Sequence, residues 1–384
     1  MTTKRVSFID GMRGFSLLGI LLANLLIFQF GMYGKDELKN LSTLDTGALY
    51  FVKVFIEGSS MPIFTILFGY SLIKLKESIR KKKNKSRWSI IRRALGLIAI
   101  GWLHATFLWD GDILLSYGFM TLFLIPFINR KAKTLFIWSA VLFVLSTALA
   151  FGSAELSAKE QRETNAYIEK ADAVYANGNY QDIFDFRLHV MPPGFDDPIF
   201  LLIMFALAPL FIAPLFLFGM GLAKNRSFEN MQHEQKGYMF GALLVPIGLL
   251  CKATSFIDSN FSNILLMGGS LLLSVGYLYL AALLFTTRPV QLLSHVFESV
   301  GKLSMTNYLM QTIICTSIFY GYGLGLYGKL GVFWGVVFGI VLYSLQCVFS
   351  VYYLKRFKRG PFETVLRMWT NWSLDGQIKQ KETL

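Results

Sequence analysis

One histidine, His104, lies in an apolar run that ends in two carboxylates, Asp110 and Asp112. Imidazole titrates near neutrality, and a carboxylate within reach can orient it. The trio is therefore a candidate for proton transfer, with His104 as general base or acyl-carrying group and Asp112 orienting either the imidazole or the acceptor. Each residue also has a plainer reading: a buried histidine bonded to a neighbouring helix, and an aspartate capping the next helix. Asn24 is the third candidate catalytic group, because an amide in an apolar segment can donate to an acyl oxygen or a developing oxyanion. Its plainer role is interhelical adhesion. On the same segment Asp10 and Arg13 are three residues apart and share a helical face. Ionisable groups at bilayer depth cost a few kcal/mol or more, so they pair or they work. Arg13 either pairs with Asp10 or binds a phosphate.

These residues need a scaffold, and the composition says which. Of 384 residues, 54% are hydrophobic and 16% charged, with mean hydropathy +0.49. Soluble domains carry about 25% charged residues. Apolar runs of about 20 residues recur along the chain, each able to span the hydrocarbon core. The expected spans are Val6–Phe30, Gly47–Leu75, Trp88–Trp109, Ile113–Asn129, Thr134–Gly152, Ile199–Ala223, Gly237–Lys252, Phe261–Thr286, Leu303–Tyr320 and Val332–Leu354. The third and fourth, separated by a few residues, form a tight hairpin.

The net charge of +13 fits this reading and excludes the need for nucleic acid as a partner. With both termini inside, 27 of the 37 basic residues fall in inner segments and eight in outer ones, as cytoplasmic loops require. The basic run Arg80–Lys85 then faces anionic lipid. The expectation is an all-α polytopic transmembrane helix bundle of about ten helices, forming one domain, with N- and C-termini cytoplasmic. The first span shows no signal-peptide cleavage pattern. The acidic insert Ser153–Pro198 lies outside and Lys355–Leu384 forms an inner tail. Ala154–Asn177 has helical composition, and the insert is either a lid or a solvated loop. Cys251, Cys315 and Cys347 read as small core residues, and four scattered histidines give no zinc spacing.

Two other segments are unusually polar. Glu57–Pro62 breaks the second span, as is tolerated where backbone lines a cavity. Ser304, Asn307 and Gln311 form a polar stripe at helical spacing, which faces either other helices or a polar cavity. His104 lies about 16 Å along its helix from Arg93, in the outer half. Arg13, Arg92 and Arg93 gather at the inner mouth, and with Asn307 and Gln311 they are the candidate cofactor-binding residues.

The set Asp10, Arg13, Gly14, Phe15, Asn24, Phe68, Gly69, His104, Gly111, Asp112, Thr306, Asn307, Tyr308, Gln311, Gly360, Pro361, Glu363 and Arg367 resembles the YeiB-like family of bacterial integral membrane proteins. The likeness spans nearly the whole chain. The first helix also resembles that of lysosomal heparan-alpha-glucosaminide N-acetyltransferases, whose catalytic asparagine matches Asn24. Their catalytic histidine has no match, since Lys35 stands at that position. The resemblance implies a transmembrane acyltransferase in a bacterial cell membrane. Such an enzyme takes acetyl-CoA or another acyl-CoA from the cytoplasm and acylates a small-molecule or glycan acceptor, such as an amino sugar, outside. The alternative is a transporter or flippase, for which polar midplane residues and a broken helix also serve. A membrane scaffold is the third reading. A homodimer is left open.

Overall fold

The computed structural model describes residues 7–81, 86–149, 151, 157–195, 197–257 and 260–376, with side chains of 288–293 excepted. Lys4, Arg5, part of the basic run, the start of the insert and the end of the tail lie outside the described residues. The described chain is helical. Helix α1 (Ser7–Phe30) is followed by α2 (Thr43–Phe51), α3 (Ser60–Lys81), α4 (Ser86–Phe107), α5 (Leu114–Phe123) and α6 (Ala132–Leu149). The insert folds as α7 (Ala158–Asn177) and α8 (Tyr180–His189). Then come α9 (Pro198–Lys224), α10 (Gln235–Ala242), α11 (Leu244–Thr254), α12 (Ser262–Phe285), α13 (Arg288–Lys302), α14 (Ser304–Phe319), α15 (Val332–Arg356) and α16 (Pro361–Asn371).

All ten expected spans correspond to helices. Among the described residues, eight helical stretches are long and apolar enough to cross a membrane. The two exceptions, α5 with 10 residues and α14 with 16, flank the site: Asp112 stands just before α5, and α14 carries Tyr308 and Thr312. Helix α1 is central, packed by α3, α13, α14 and α15, while α3 carries α9 and α9 carries α6. Apolar side chains on α9, α11 and α15 remain exposed, among them Ile199, Phe205, Leu250 and Leu345, as lipid contact demands.

Local sequence explains the breaks. The second span splits at a π-turn, Val52–Ile56, just before Glu57. Pro246 has no N–H for the carbonyl of Ala242, so α10 and α11 are separate helices. Helices α7 and α8 each start with a capping box, Ser157 with Glu160 and Asn179 with Asp182. Two amphipathic helices, α13 and α16, lie where the sequence reading placed a loop and a tail; neither is apolar enough to register as a span. Helix α13 packs against α1 so closely that a side chain on Gly14 or Gly301 would collide with the other helix's backbone. Helix α16 docks on α4 and α14.

Candidate functional site

The α4–α5 hairpin is tight because both helices present glycine at the crossing. A side chain on Gly101 would strike the Leu115 backbone, and one on Gly118 would strike Ile98. The hairpin holds His104 in the last turn of α4 and Asp112 just before α5. Asp112 does both of the jobs considered for it. Its Oδ1 accepts from the Leu115 N–H at 2.7 Å, capping α5, and its Oδ2 lies 2.6 Å from His104 Nδ1. Thr312 of α14 completes a chain, with Oγ1 3.0 Å from His104 Nε2. The His104 and Asp112 side chains are each 1% exposed, so their hydrogen bonds meet no competition from water. The carboxylate accepts Nδ1–H and so selects that tautomer, leaving the Nε2 lone pair facing the Thr312 hydroxyl. A histidine held this way can accept a proton at Nε2, and from a hydroxyl in particular. Tyr308 stands beside the imidazole with ring centroids 5.4 Å apart. Its hydroxyl donates to the Gly111 carbonyl at 3.3 Å and accepts from the Ile113 N–H at 3.4 Å, fixing the hairpin to α14.

A cavity of about 260 Å³ opens toward the basic end of the bundle and closes against this layer. Its outer rim carries Arg13, Arg93, Lys302, Arg359 and Arg367 with one carboxylate, Glu363. Its closed end is lined by Phe64, Ile113, Tyr117 and Tyr308. Two of these cations are held in place. Arg13 pairs with Asp10 at 3.2 Å and donates to Ser71, while Arg367 Nε donates to the Gly376 carbonyl at 2.7 Å. Glu363 is engaged by the N-terminus of α14. It accepts from Met305 N–H at 2.7 Å, Thr306 N–H at 3.0 Å and the Thr306 hydroxyl at 2.6 Å. The carboxylate is thus taken up by the helix end, and the rim keeps a positive balance that suits polyanionic groups.

On the far side of His104 lies a second pocket of about 30 Å³, reached from the opposite end of the bundle and lined in part by Trp109 and Asp110 of the same hairpin. The insert covers this end. Arg187 of α8 donates to the carbonyls of Leu108 at 3.1 Å, Thr106 at 3.0 Å and Ala105, closing the C-terminus of α4 that carries His104.

The structure thus joins His104 to Asp112, and brings Arg13 and Arg93 to one cavity. The other expected residues sit elsewhere. Arg92 lies off the cavity, with Nε bonded to the Thr370 carbonyl at 3.0 Å and its own carbonyl accepting from Trp369, so it docks α16. Asn307 donates to Ser350 at 3.0 Å and to the Val300 carbonyl, while Gln311 donates to Gln346 at 2.8 Å. Both amides join α14 to α15 and do not face the cavity. Asn24 is half-buried on α1 and outside the network around His104. Thr312 and Arg187 were not anticipated. Thr312 lies next to the polar stripe without sharing its spacing, and Arg187 is one of several charges in an acidic insert.

Fold and site together define a helix-bundle membrane protein with a buried histidine–aspartate–threonine chain between two pockets. The chain belongs to the family described as "Protein of unknown function (DUF418)", whose model matches residues 222–373. That stretch supplies Thr312, Tyr308 and the rim residues from Lys302 to Arg367. The chain is 32% identical to "Uncharacterized protein YxaH" of Bacillus subtilis (strain 168), over 96% of this chain and 94% of that one. It is 27% identical to "Uncharacterized protein YeiB" of Escherichia coli (strain K12), over 94% and 95% respectively. A third relative, the "Uncharacterized 39.9 kDa protein in amylase 3'region" of Bacillus acidopullulyticus, is 27% identical over 96% of this chain and 94% of its own length. The relatives are bacterial, and the likeness to YeiB spans almost the whole chain.

Proposed function

We propose that the protein is a multi-pass acyltransferase of the bacterial cell membrane, moving an acyl group from cytoplasmic acyl-CoA to an acceptor on the outer side. The observation that carries this reading is the basic-rimmed cavity that closes on the layer holding His104, Asp112 and Thr312, with a second pocket beyond them. The excess of Lys and Arg at the rim end makes that end cytoplasmic, where CoA is available. Arg13, Arg93, Lys302, Arg359 and Arg367 would bind the CoA phosphates. The apolar closed end would take the pantetheine arm and bring the thioester against Tyr308. His104 Nε2 would remove the proton from the attacking group, held in its tautomer by Asp112. Asn24 is proposed as a donor to the acyl oxygen. Burial of the layer would limit hydrolysis of the thioester.

The test is binding and transfer with labelled acetyl-CoA and full-length protein in nanodiscs. Arg93→Ala should weaken binding by about tenfold or more, the value of one charge-assisted contact. His104→Ala should retain binding and lose transfer, and Asn24→Ala should slow transfer more than it weakens binding. Undetectable binding of acetyl-CoA by wild type would remove the reading. A bound compound that crosses vesicle membranes without being acylated would replace it with a transporter.

A further inference from the structure

The outer pocket is built from four separate segments, and their chemistry converges. The end of α1 and its following turn bring Tyr33, the α4–α5 hairpin brings Trp109 and Asp110, and α7 brings Tyr167, Asp172 and Tyr175. The turn after α14 adds Tyr320 and Tyr327. The rings brace one another. Tyr175 stacks on Tyr327 with centroids 5.7 Å apart, Tyr175 meets Tyr320 at 4.8 Å, and Tyr33 meets Tyr167 edge-on at 5.5 Å. With Phe30, the lining holds seven aromatic side chains and two carboxylates, with no Lys or Arg.

Neither carboxylate forms an ion pair among the described residues. Asp110 makes no hydrogen bond or ion pair among the described residues. Asp172 accepts one bond from the Tyr327 hydroxyl at 2.9 Å, and burial holds its carboxyl above the usual range. The nearest cations are engaged elsewhere: Arg187 on the end of α4, and Lys35 on Glu57 at 2.7 Å and Asp36 at 2.8 Å. Aromatic faces attract cations through their quadrupole, and carboxylates add a direct charge. A volume of about 30 Å³ admits a head group and its first carbon but no pyranose ring. This argues against a stacked neutral sugar.

We propose that this outer pocket binds the ammonium head group of a small organic amine, caged by the tyrosines and held by Asp110 and Asp172. Under the acyltransferase reading, on which this clause rests, the amine is the acyl acceptor: the ammonium gives one proton to His104, the freed nitrogen bonds to the thioester carbon, and the C–S bond breaks so that CoA leaves as the thiol with the second proton. The binding itself needs no such reading.

Ethanolamine is the probe and ethylene glycol its neutral counterpart, each titrated calorimetrically into full-length protein in nanodiscs. Ethanolamine is expected to bind saturably and ethylene glycol not to bind at the same concentrations. Asp110→Asn should weaken ethanolamine by about tenfold. Its thermal midpoint should not change, because Asp110 is exposed and holds no hydrogen bond. Asp172→Asn, which keeps an acceptor for Tyr327, should weaken it as well. The proposal is overturned if ethanolamine does not bind, if ethylene glycol binds equally, or if both variants bind ethanolamine as wild type does. Ethanolamine that binds but receives no acetyl from bound acetyl-CoA would keep the site and count against the acyltransferase reading. Transfer to an amine without saturable binding here would keep the reading and remove the site.

Discussion

Replacing Asp112 by asparagine separates the two tasks of that side chain. The Oδ1 bond to Leu115 N–H at 2.7 Å can survive, because an amide oxygen still accepts. The Oδ2 contact with His104 Nδ1 at 2.6 Å cannot survive unchanged, because an amide nitrogen donates and Nδ1–H also donates. The ring resolves the conflict by moving its proton to Nε2. Nδ1 then accepts from the asparagine, and Nε2–H donates to Thr312, which removes the lone pair a base needs. Exchanging one buried charge-assisted bond for a neutral one should cost about 1–2 kcal/mol of stability. Loss of the correctly poised base should lower acyl transfer by roughly 10²–10⁴-fold. Asp112→Ala also removes the cap of α5 and should cost about 1 kcal/mol more than Asp112→Asn. Thermal unfolding in nanodiscs measures the first effect and labelled acetyl transfer the second, while ¹⁵N histidine spectra read the tautomer directly. If Asp112→Asn keeps the Nδ1–H tautomer, or transfers at the wild-type rate, the assignment of His104 as the base fails.

Arg187→Met should free the carbonyls at the end of α4 and cost about 2 kcal/mol. The sign is limited proteolysis cutting first in α8, and resistance equal to wild type would contradict it. Gly101→Leu should prevent the α4–α5 hairpin from closing and abolish accumulation of folded protein, measured by monodisperse yield in detergent; normal yield would show that the crossing can widen. Thr312→Val should leave acetyl-CoA affinity unchanged while altering transfer, and an altered affinity with normal transfer would place Thr312 in the binding cavity instead. The Lys35–Asp36–Lys53 cluster predicts a pH dependence with two edges. Burial raises the Asp36 carboxyl pKa, but hydrogen bonds and charges from Lys35 and Lys53 outweigh it and hold the value below its usual range. That stabilisation is present above the ordinary aspartate value and is lost as pH falls through the lowered one. Burial likewise pushes Lys35 down, but Glu57 and Asp36 outweigh it and hold it above the usual lysine value. That stabilisation is present below the ordinary lysine value and is lost as pH rises through the raised one. Thermal midpoints of wild type and Lys35→Met across pH should converge at both extremes; a constant difference would refute the coupling.

The sequence by itself determined the class of protein and the position of its spans. Hydrocarbon thickness sets the length of an apolar run, and insertion sets the sidedness of Lys and Arg; both are local properties of the chain. It also determined the hairpin and a break in the second span, which the residues Glu57–Pro62 marked and which the structure sets at residues 52–59. His104 and Asp112 were legible as a pair because they are eight residues apart on one hairpin. What only the tertiary structure decided is which polar groups meet across helices. Thr312 reaches His104 from 208 residues away, and nothing in its own segment marks it over Thr306 or Thr316. Asn307 and Gln311 formed a polar stripe, but the partner of that stripe proved to be α15 rather than a cavity, because Gln346 and Ser350 satisfy it first. Arg92 and Arg93 are adjacent, yet successive helical residues point about 100° apart, so one docks α16 and the other lines the cavity. Amphipathic α13 and α16 escaped a reading tuned to apolar runs, because each buries only one face and needs the assembled bundle to cover it.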